Sequence, residues 1–390
     1  MTPGGQRPRV ALLVNLVAPY RVALYDEMAR AVDLTVLYSG HEDNRVGWEG
    51  AHRGLIRARA RRVWGWVVKR TRPTVGAPPV AGECLDAGYL HVSPGYLADL
   101  VRERPDAIIT SELGWRTMVA LGYGLLAGIP VWVMIESTRH SERRPGRART
   151  LVRGLIRRVA SRWIAVGQCS AEYLRSLGVP PTRVTTIQGT VDERPFATLE
   201  RRPKAPGARP VAVCVGQLVA RKGISRLLEA TATLATRGVA IDLLIAGDGP
   251  ERARLEAQAR ALGVAGVSFL GRRTTDEVAE LFRTADFLVF PTLEDVWGLV
   301  VNEALWSGLP VLASRYAGSA AELLPPGNIF DPLDQDGFVR ALQRAASGWL
   351  SPADRTVLWP TAKAAQRVTA VVLADLGVPA PRVFDPATRP

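Results

Sequence analysis

The stretch from Asp286 to Val311 limits what this chain can fold into more than any other. Asp286-Phe-Leu-Val-Phe290 is a short apolar run closed by Pro291, the pattern of a strand buried on both faces. Two acids follow, Glu294 and Asp295, and then Gly298. From Leu299 apolar residues recur at helical spacing through Val300, Ala304 and Leu305. Ser307-Gly308 marks the stop, and Pro310 opens another apolar run. Strand, acidic loop, helix and strand in that order form a unit of an open α/β sheet. Its loop falls at a strand's carboxyl end, where such sheets bind ligands.

A helix that starts at Gly298 turns the free N–H groups of Gly298, Leu299 and Val300, and its positive dipole end, into the loop. That end suits a phosphate or an electron-rich hydroxyl. Glu303 stands on the early turns of the helix and Asp295 on the loop, so the two acids can face one pocket. Carboxylates there accept hydrogen bonds from hydroxyls, which points to a sugar or a ribose. The competing reading makes Asp295 an N-cap and Glu303 a solvated helix residue.

The wording of the stretch favours the first reading. Asp295-x-Trp297-Gly298-Leu299-x-x-x-Glu303, then Ala304, Gly308, Pro310 and Val311, resembles the acid-x7-acid signature of the retaining glycosyltransferases of family 4. The usual first Glu is Asp295 here and the usual Phe is Trp297. Glu294 stands beside Asp295, so either can take the first acid's role. A second segment is similar to the family's Gly-Arg-x-x-x-x-Lys-Gly: Gly216-Gln217-x-x-x-Arg221-Lys222-Gly223. It follows the strand-like run Val211–Val215 and precedes a helical pattern with Leu227, Leu228 and Leu234 on its apolar side. A cation pair beside free helix N–H groups makes a seat for a diphosphate. The resemblance gives Lys222 that role. Gln217 replaces the usual Arg, donates a hydrogen bond without charge, and leaves Arg221 as a substitute.

Further on, Gly247-Asp-Gly-Pro250 matches the family's Gly-x-Gly-Pro, and Val267–Gly271 is the strand whose end meets the nucleotide base. Gly271 and Arg272 are therefore candidates for that contact. The loop from Tyr316 to Ser319 lies near the donor sugar in similar enzymes. Asp334-Gln-Asp336 has the form of a metal triad, but its place at a helix start reads as capping, and no metal is expected.

Length and charge narrow the rest. A chain of 390 residues exceeds the usual single core, so two domains are expected. The net charge of +13 implies an anionic partner such as nucleotide phosphates, nucleic acid or an anionic lipid surface. Cys84, Cys169 and Cys214 are too scattered for a disulfide framework or a metal cluster, which fits a reducing cytosol. The start of the chain lacks the basic and apolar regions of a signal peptide. The uncharged run from Thr117 to Ile135 contains Gly128 and Pro130, and reads as a helix followed by a strand rather than a membrane span.

In the first half, Val10–Leu16, Leu34–Tyr38, Asp106–Thr110, Val131–Ile135, Trp163–Val166 and Val184–Ile187 read as strands. Arg21, in the loop after the first, can hold an acceptor or donor phosphate, or simply start a helix. Strand ends at Glu112 and Glu136 should point into the same cleft. Glu136 stands where some family members carry a histidine, and His140 reads as an incidental loop residue. Gly40 to Gly88 reads as irregular, with His41, Trp48, His52, Trp64 and Trp66 and eight Lys/Arg between Arg53 and Arg72. A second basic block runs from Arg143 to Arg162, where Leu151, Val152, Leu155, Ile156, Val159 and Trp163 form a stripe expected to pack on the sheet. Solvated arginine faces are the simpler account of both blocks, a membrane surface the other. Ser170 is the expected cap of the next helix.

The resemblance implies the GT-B architecture: an α/β chain of two Rossmann-like domains facing each other across a cleft. The expected units are an acceptor-side domain over residues 1–192, a linker over 193–210 and a donor domain over 211–355. A last helix at about 360–377 returns to the first domain. The implied reaction moves a sugar from a UDP- or GDP-linked donor to a glycan, a lipid-linked acceptor or a small natural product, with the nucleotide-sugar as co-substrate and no cofactor. Asp295 or Glu294 would hold sugar hydroxyls and Glu303 the ribose. A cytoplasmic enzyme, with peripheral contact at the inner membrane face, is expected. Two other readings stand beside it: a GT-B nucleotide-sugar epimerase and a non-enzymatic anion binder. No nucleic-acid motif is present, and no nucleic-acid partner is expected.

Overall fold

Short runs of Val, Leu and Ile between glycines and prolines become parallel strands, and the helical segments between them cover the sheet faces. The computed structural model of the protein describes residues 6–40, 42, 48–70, 88–142, 147–198, 200–202 and 207–379. The first half begins with β1 (Arg9–Val14), α1 (Val22–Met28), β2 (Asp33–Tyr38), β3 (Arg59–Arg62), β4 (Trp66–Arg70) and β5 (Gly88–Val92). It continues with α2 (Gly95–Glu103), β6 (Ala107–Ser111), α3 (Trp115–Ala127), β7 (Val131–Ile135) and α4 (Arg147–Val159). It closes with β8 (Arg162–Val166), α5 (Gln168–Ser176), β9 (Val184–Ile187) and α6 (Arg194–Ala197). The second half opens with β10 (Val211–Val215), α7 (Ile224–Thr236), β11 (Asp242–Ala246), α8 (Arg252–Ala261) and β12 (Val267–Gly271). Then come α9 (Thr275–Thr284), β13 (Phe287–Phe290), α10 (Leu299–Trp306), β14 (Val311–Ser314) and α11 (Ala320–Leu323). The last elements are β15 (Ile329–Phe330), α12 (Gln335–Ala346) and α13 (Thr361–Asp375).

Two parallel sheets result. The first has seven strands in the order β3-β2-β1-β6-β7-β8-β9, the second six in the order β12-β11-β10-β13-β14-β15. In each, the order turns back beside its first strand, between β1 and β6 and between β10 and β13. Those switch points open a crevice at the carboxyl ends of the strands. One face of the first sheet packs Leu12, Leu34 and Ile109 against α1 and α13, so the last described helix does return to the first half. The other face packs Leu13, Ile108 and Val133 against α2, α3, α4 and α5. The uncharged run resolves as α3, a stop at Gly128 and then β7. No helix among the described residues is long and apolar enough to cross a membrane.

Four expectations need correction. The stretch from Gly40 to Gly88 is not irregular throughout: β3 joins the sheet beside β2, and β4 pairs antiparallel with β5. The sequence of β3, Arg-Ala-Arg-Arg, lacks a strand's apolar pattern. Its arginines reach acids of neighbouring elements instead, Arg59 to Asp33 at 3.1 Å and Arg61 to Glu103 at 3.2 Å. The segment read as a linker carries α6, whose Phe196 is buried against Phe282 of α9. Ser170 caps nothing; the N-cap of α5 is Gly167, and the Gln168 N–H is met by the Glu322 carboxylate at 2.9 Å. The stripe on α4 does not pack as a unit. Ile156 is buried, but Leu151 is 76% exposed and Leu155 46%. Arg153 turns inward instead, bonded to Glu142 at 2.6 Å and to the Tyr173 hydroxyl at 3.1 Å. The inward face of the helix therefore includes a buried ion pair as well as Ile156. His41 and Cys84 lie outside the described residues, as do residues 380–390.

Candidate functional site

The second crevice is assembled from the loops after β10 and β13. Gly298 has φ +87°, a left-handed conformation that favours glycine, and a Cβ there would sit 2.6 Å from a ring carbon of Phe290. This turn aims the first N–H groups of α10 into the crevice, with Leu299 and Val300 on its opening turn. Glu303, one turn on, has no ion pair among the described residues, and burial pushes its carboxyl up to about 7. An acid held in that state accepts hydroxyl hydrogen bonds best once a ligand stabilises its charge.

Opposite α10, the chain after β10 makes a tight turn at Ala220–Lys222 before α7. Lys222 Nζ lies 2.5 Å from the Asp295 carboxylate and 5.0 Å from the centre of the Phe290 ring. Arg221 reaches the same carboxylate at 4.0 Å and donates to the Glu294 backbone carbonyl at 3.1 Å. Burial alone would raise the Asp295 carboxyl, but Lys222 and then Arg221 hold it below the usual range. Glu294 beside it is buried, and the Asp295 carboxylate reaches both cations. Gly216 lies over the Lys222 stem, with Gln217 next to it. Gly271 ends β12, on the far side of β11, where its carbonyl accepts from the Gly247 N–H at 2.8 Å. Arg272 beside it is exposed.

The first crevice is charged but self-paired. Arg21 is buried and its guanidinium bonds directly to Glu136. Burial works against that charge, yet Glu136 overrides it and holds the guanidinium more firmly protonated. Arg116, also buried, bonds to Asn15, to the Ser111 hydroxyl at 2.9 Å and to Glu112 at 3.5 Å. Glu112 takes φ +68°, which a residue with a side chain rarely adopts.

Trp297 ties the two crevices together. A Cβ on Gly167 would fall 2.3 Å from its ring, and one on Gly189 2.7 Å. Its Nε1–H donates to Asn302 at 2.7 Å, and Asn302 donates to the Gly189 carbonyl at 2.9 Å. His140 donates to the Leu293 carbonyl at 2.7 Å and stacks on Tyr316, whose own carbonyl accepts from the Asp295 N–H. Trp297, in the place of the usual Phe, and His140, expected to be an incidental loop residue, therefore form an interlock between the halves. The available signal was a glycine just past the end of each of two neighbouring strands, β8 and β9, which marks a close approach.

The comparisons with known proteins agree with this geometry. Residues 22–194 match the family model "Glycosyltransferase Family 4", and residues 196–356 match "Glycosyl transferases group 1". The chain belongs to the family 4 glycosyltransferases. This family 4 chain is 35% identical over 176 residues to a GDP-mannose-dependent alpha-mannosyltransferase of Mycobacterium tuberculosis, covering 44% of this chain and 43% of the relative. It is 32% identical over 246 residues to a GDP-mannose-dependent alpha-(1-6)-phosphatidylinositol monomannoside mannosyltransferase of Mycolicibacterium smegmatis, covering 60% and 62%. The matched stretches thus span between about two fifths and two thirds of these relatives' lengths. Among solved structures, Anabaena HepE in complex with UDP superposes with a TM-score of 0.66 at 17% identity, over 94% of this chain and 95% of that one. The two Rossmann-like halves of the family 4 chain accordingly have the GT-B arrangement.

Proposed function

We propose that the protein is a retaining glycosyltransferase that moves a sugar from a nucleoside-diphosphate-sugar to a hydroxyl acceptor. The observation that carries this is the Lys222–Asp295 contact beneath the open N-terminus of α10, with Glu303 beside it. In the free protein Asp295 satisfies Lys222. A donor exchanges both: its diphosphate takes Lys222, Arg221, Gln217 and the N–H groups of Gly298, Leu299 and Val300, and its sugar hydroxyls take Asp295. Gly216 lets the backbone come close to the diphosphate. Glu303 accepts from the ribose, and Gly271 and Arg272 border the base.

Charge develops on the leaving diphosphate as the sugar–oxygen bond breaks, and Lys222 stabilises it there. The acceptor oxygen bonds the anomeric carbon from the face the diphosphate leaves, and its proton passes to a diphosphate oxygen. Configuration is therefore kept, and the reaction needs no base from the first half. The positive charge comes from side chains and helix N–H groups, so no metal ion has a role in this proposal. GDP-mannose is the first donor to test, because the similar mannosyltransferases are named for it. Arg21 and Glu136 border the acceptor, whether lipid-linked, glycan or small natural product.

The test is a calorimetric titration of GDP and UDP into the wild type and Glu303→Ala, followed by incubation with the matching donor sugar. Saturable binding of one nucleotide, weakened in the variant, is expected, with an α-linked product from an α-linked donor. Tight binding of neither nucleotide would sink the proposal.

A further inference from the structure

The described large hydrophobic side chains that stay exposed are not scattered. Apart from Ile56, Leu262 and Trp349, they lie on one side of the first half. That side is built by α2, α3, α4 and the β4–β5 pair, with α3 touching α2, α4 and β5. On α4, Leu151, Leu155 and Val159 recur every fourth residue and form one outward stripe. On α3, Leu125 and Leu126 are 71% and 89% exposed. Trp64 and Trp66 stand beside the pair with ring centres 4.7 Å apart, both outward. Exposed apolar side chains gathered on one set of touching elements mark a contact with something else.

The charges that α3 and α4 carry are of one sign. Neither α3 nor α4 contains an acid, and α4 carries five arginines. Arg153 turns inward to Glu142, whereas Arg147, Arg157 and Arg158 are exposed. Arg147 and Arg158 flank the leucine stripe at helical spacing. The acids of α2, Asp99 and Glu103, are occupied by Arg61.

We propose that this face docks on a membrane surface bearing anionic lipid headgroups. Leu151, Leu155, Leu125, Leu126 and the two tryptophans enter the headgroup boundary, and Arg147 and Arg158 meet lipid phosphates. A second copy of the chain fits worse, because a two-fold contact would set arginine against arginine. Nucleic acid would leave the leucines without use. The proposal does not depend on the transferase reading. If both hold, the acceptor is one presented at a bilayer.

The experiment is co-sedimentation of the full chain with phosphatidylcholine vesicles, with and without phosphatidylglycerol, at low and raised salt. The wild type is expected to sediment with the anionic vesicles and to be released by salt. Replacing Arg147 and Arg158 by Ser should weaken that binding about 25-fold, from roughly fivefold per arginine near an anionic surface. Leu151→Glu with Leu155→Glu should weaken it at least about tenfold. All four positions are exposed, so melting temperature and nucleotide affinity should be unchanged, and a nucleotide result of either sign leaves the vesicle result readable. Equal binding to both vesicle types, equal binding by wild type and variants, or a wild-type dimer that the leucine pair dissociates would each overturn the proposal.

Discussion

The carboxyl ends of β1, β6 and β7 and those of β10 and β13 are equivalent places in two similar sheets, yet their charges are arranged differently. At the first, Arg21 is already engaged by Glu136 and Arg116 by Asn15, partners about a hundred residues away in the chain, with Glu112 just before α3 completing the Arg116 set. At the second, the charged groups come from two short loops beside strands that are neighbours in the sheet, and Glu303 is held neutral in part by burial. The first crevice is made by distant side chains meeting. The second is made by backbone turns that fix where its side chains can be. A site of the second kind can be rearranged by a ligand with little change in the fold, because the turns at Gly223 and Gly298 are set by left-handed backbone conformations that glycine favours.

That contrast can be broken experimentally. The largest expected effect is from Lys222→Ala, which should lower turnover about 10²–10³-fold, the scale for losing one donor to a developing oxyanion. Its melting temperature should change little, since the partner Asp295 keeps the Trp297 N–H at 3.2 Å. A variant with normal turnover would remove Lys222 from the site. Next is Trp297→Ala, which empties the space between Gly167 and Gly189 and strands Asn302. It should cost about 3–5 kcal/mol of stability, read in a denaturant titration, and weaken donor binding at the same time. If donor binding survives intact, the interlock and the donor loop are independent.

Glu303→Gln should act in opposite directions on stability and binding. Its folded carboxyl titrates at about 7 against an ordinary 4.5, so the native state holds the proton more tightly than the unfolded chain. The stabilising proton is fully present below about 4.5 and is lost as pH rises through 7, leaving a buried charge above it. The glutamine variant should therefore be more stable than the wild type at pH 8, by on the order of 1–3 kcal/mol, and indistinguishable near pH 4. Nucleotide affinity should fall about tenfold, and the wild type should release protons on binding near pH 7, measured in buffers of different ionisation enthalpy. The smallest effect on the donor side belongs to Glu136→Gln. It should raise the acceptor KM severalfold and shift nucleotide affinity less than about twofold, within the range of a partly exposed ion pair. A large loss of nucleotide binding in that variant would contradict the division between the two crevices.

Much of the second crevice was legible because its information is local. A glycine that must take a left-handed turn and an acid eight residues from another lie within one strand–loop–helix unit, and the cation before a helix start lies within a second. The parallel strands were legible for the same reason, since a strand covered on both faces must be apolar throughout. The strand β3 was not, because its arginines are neutralised by Asp33, Asp99 and Glu103, which only the fold brings alongside.

The sequence by itself determined most of the succession of strands and helices and the residues that line the second crevice, because periodicity, glycine conformation and short-range spacing act within a few residues. Only the tertiary structure decided which face of α4 points inward, that Trp297 and His140 join the halves, and that Arg21 lies on Glu136. Each of those depends on a buried charge or ring finding a partner on another element. The cost of leaving such a group unpaired, weighed over the whole molecule, selects among faces that the local pattern treats as equal.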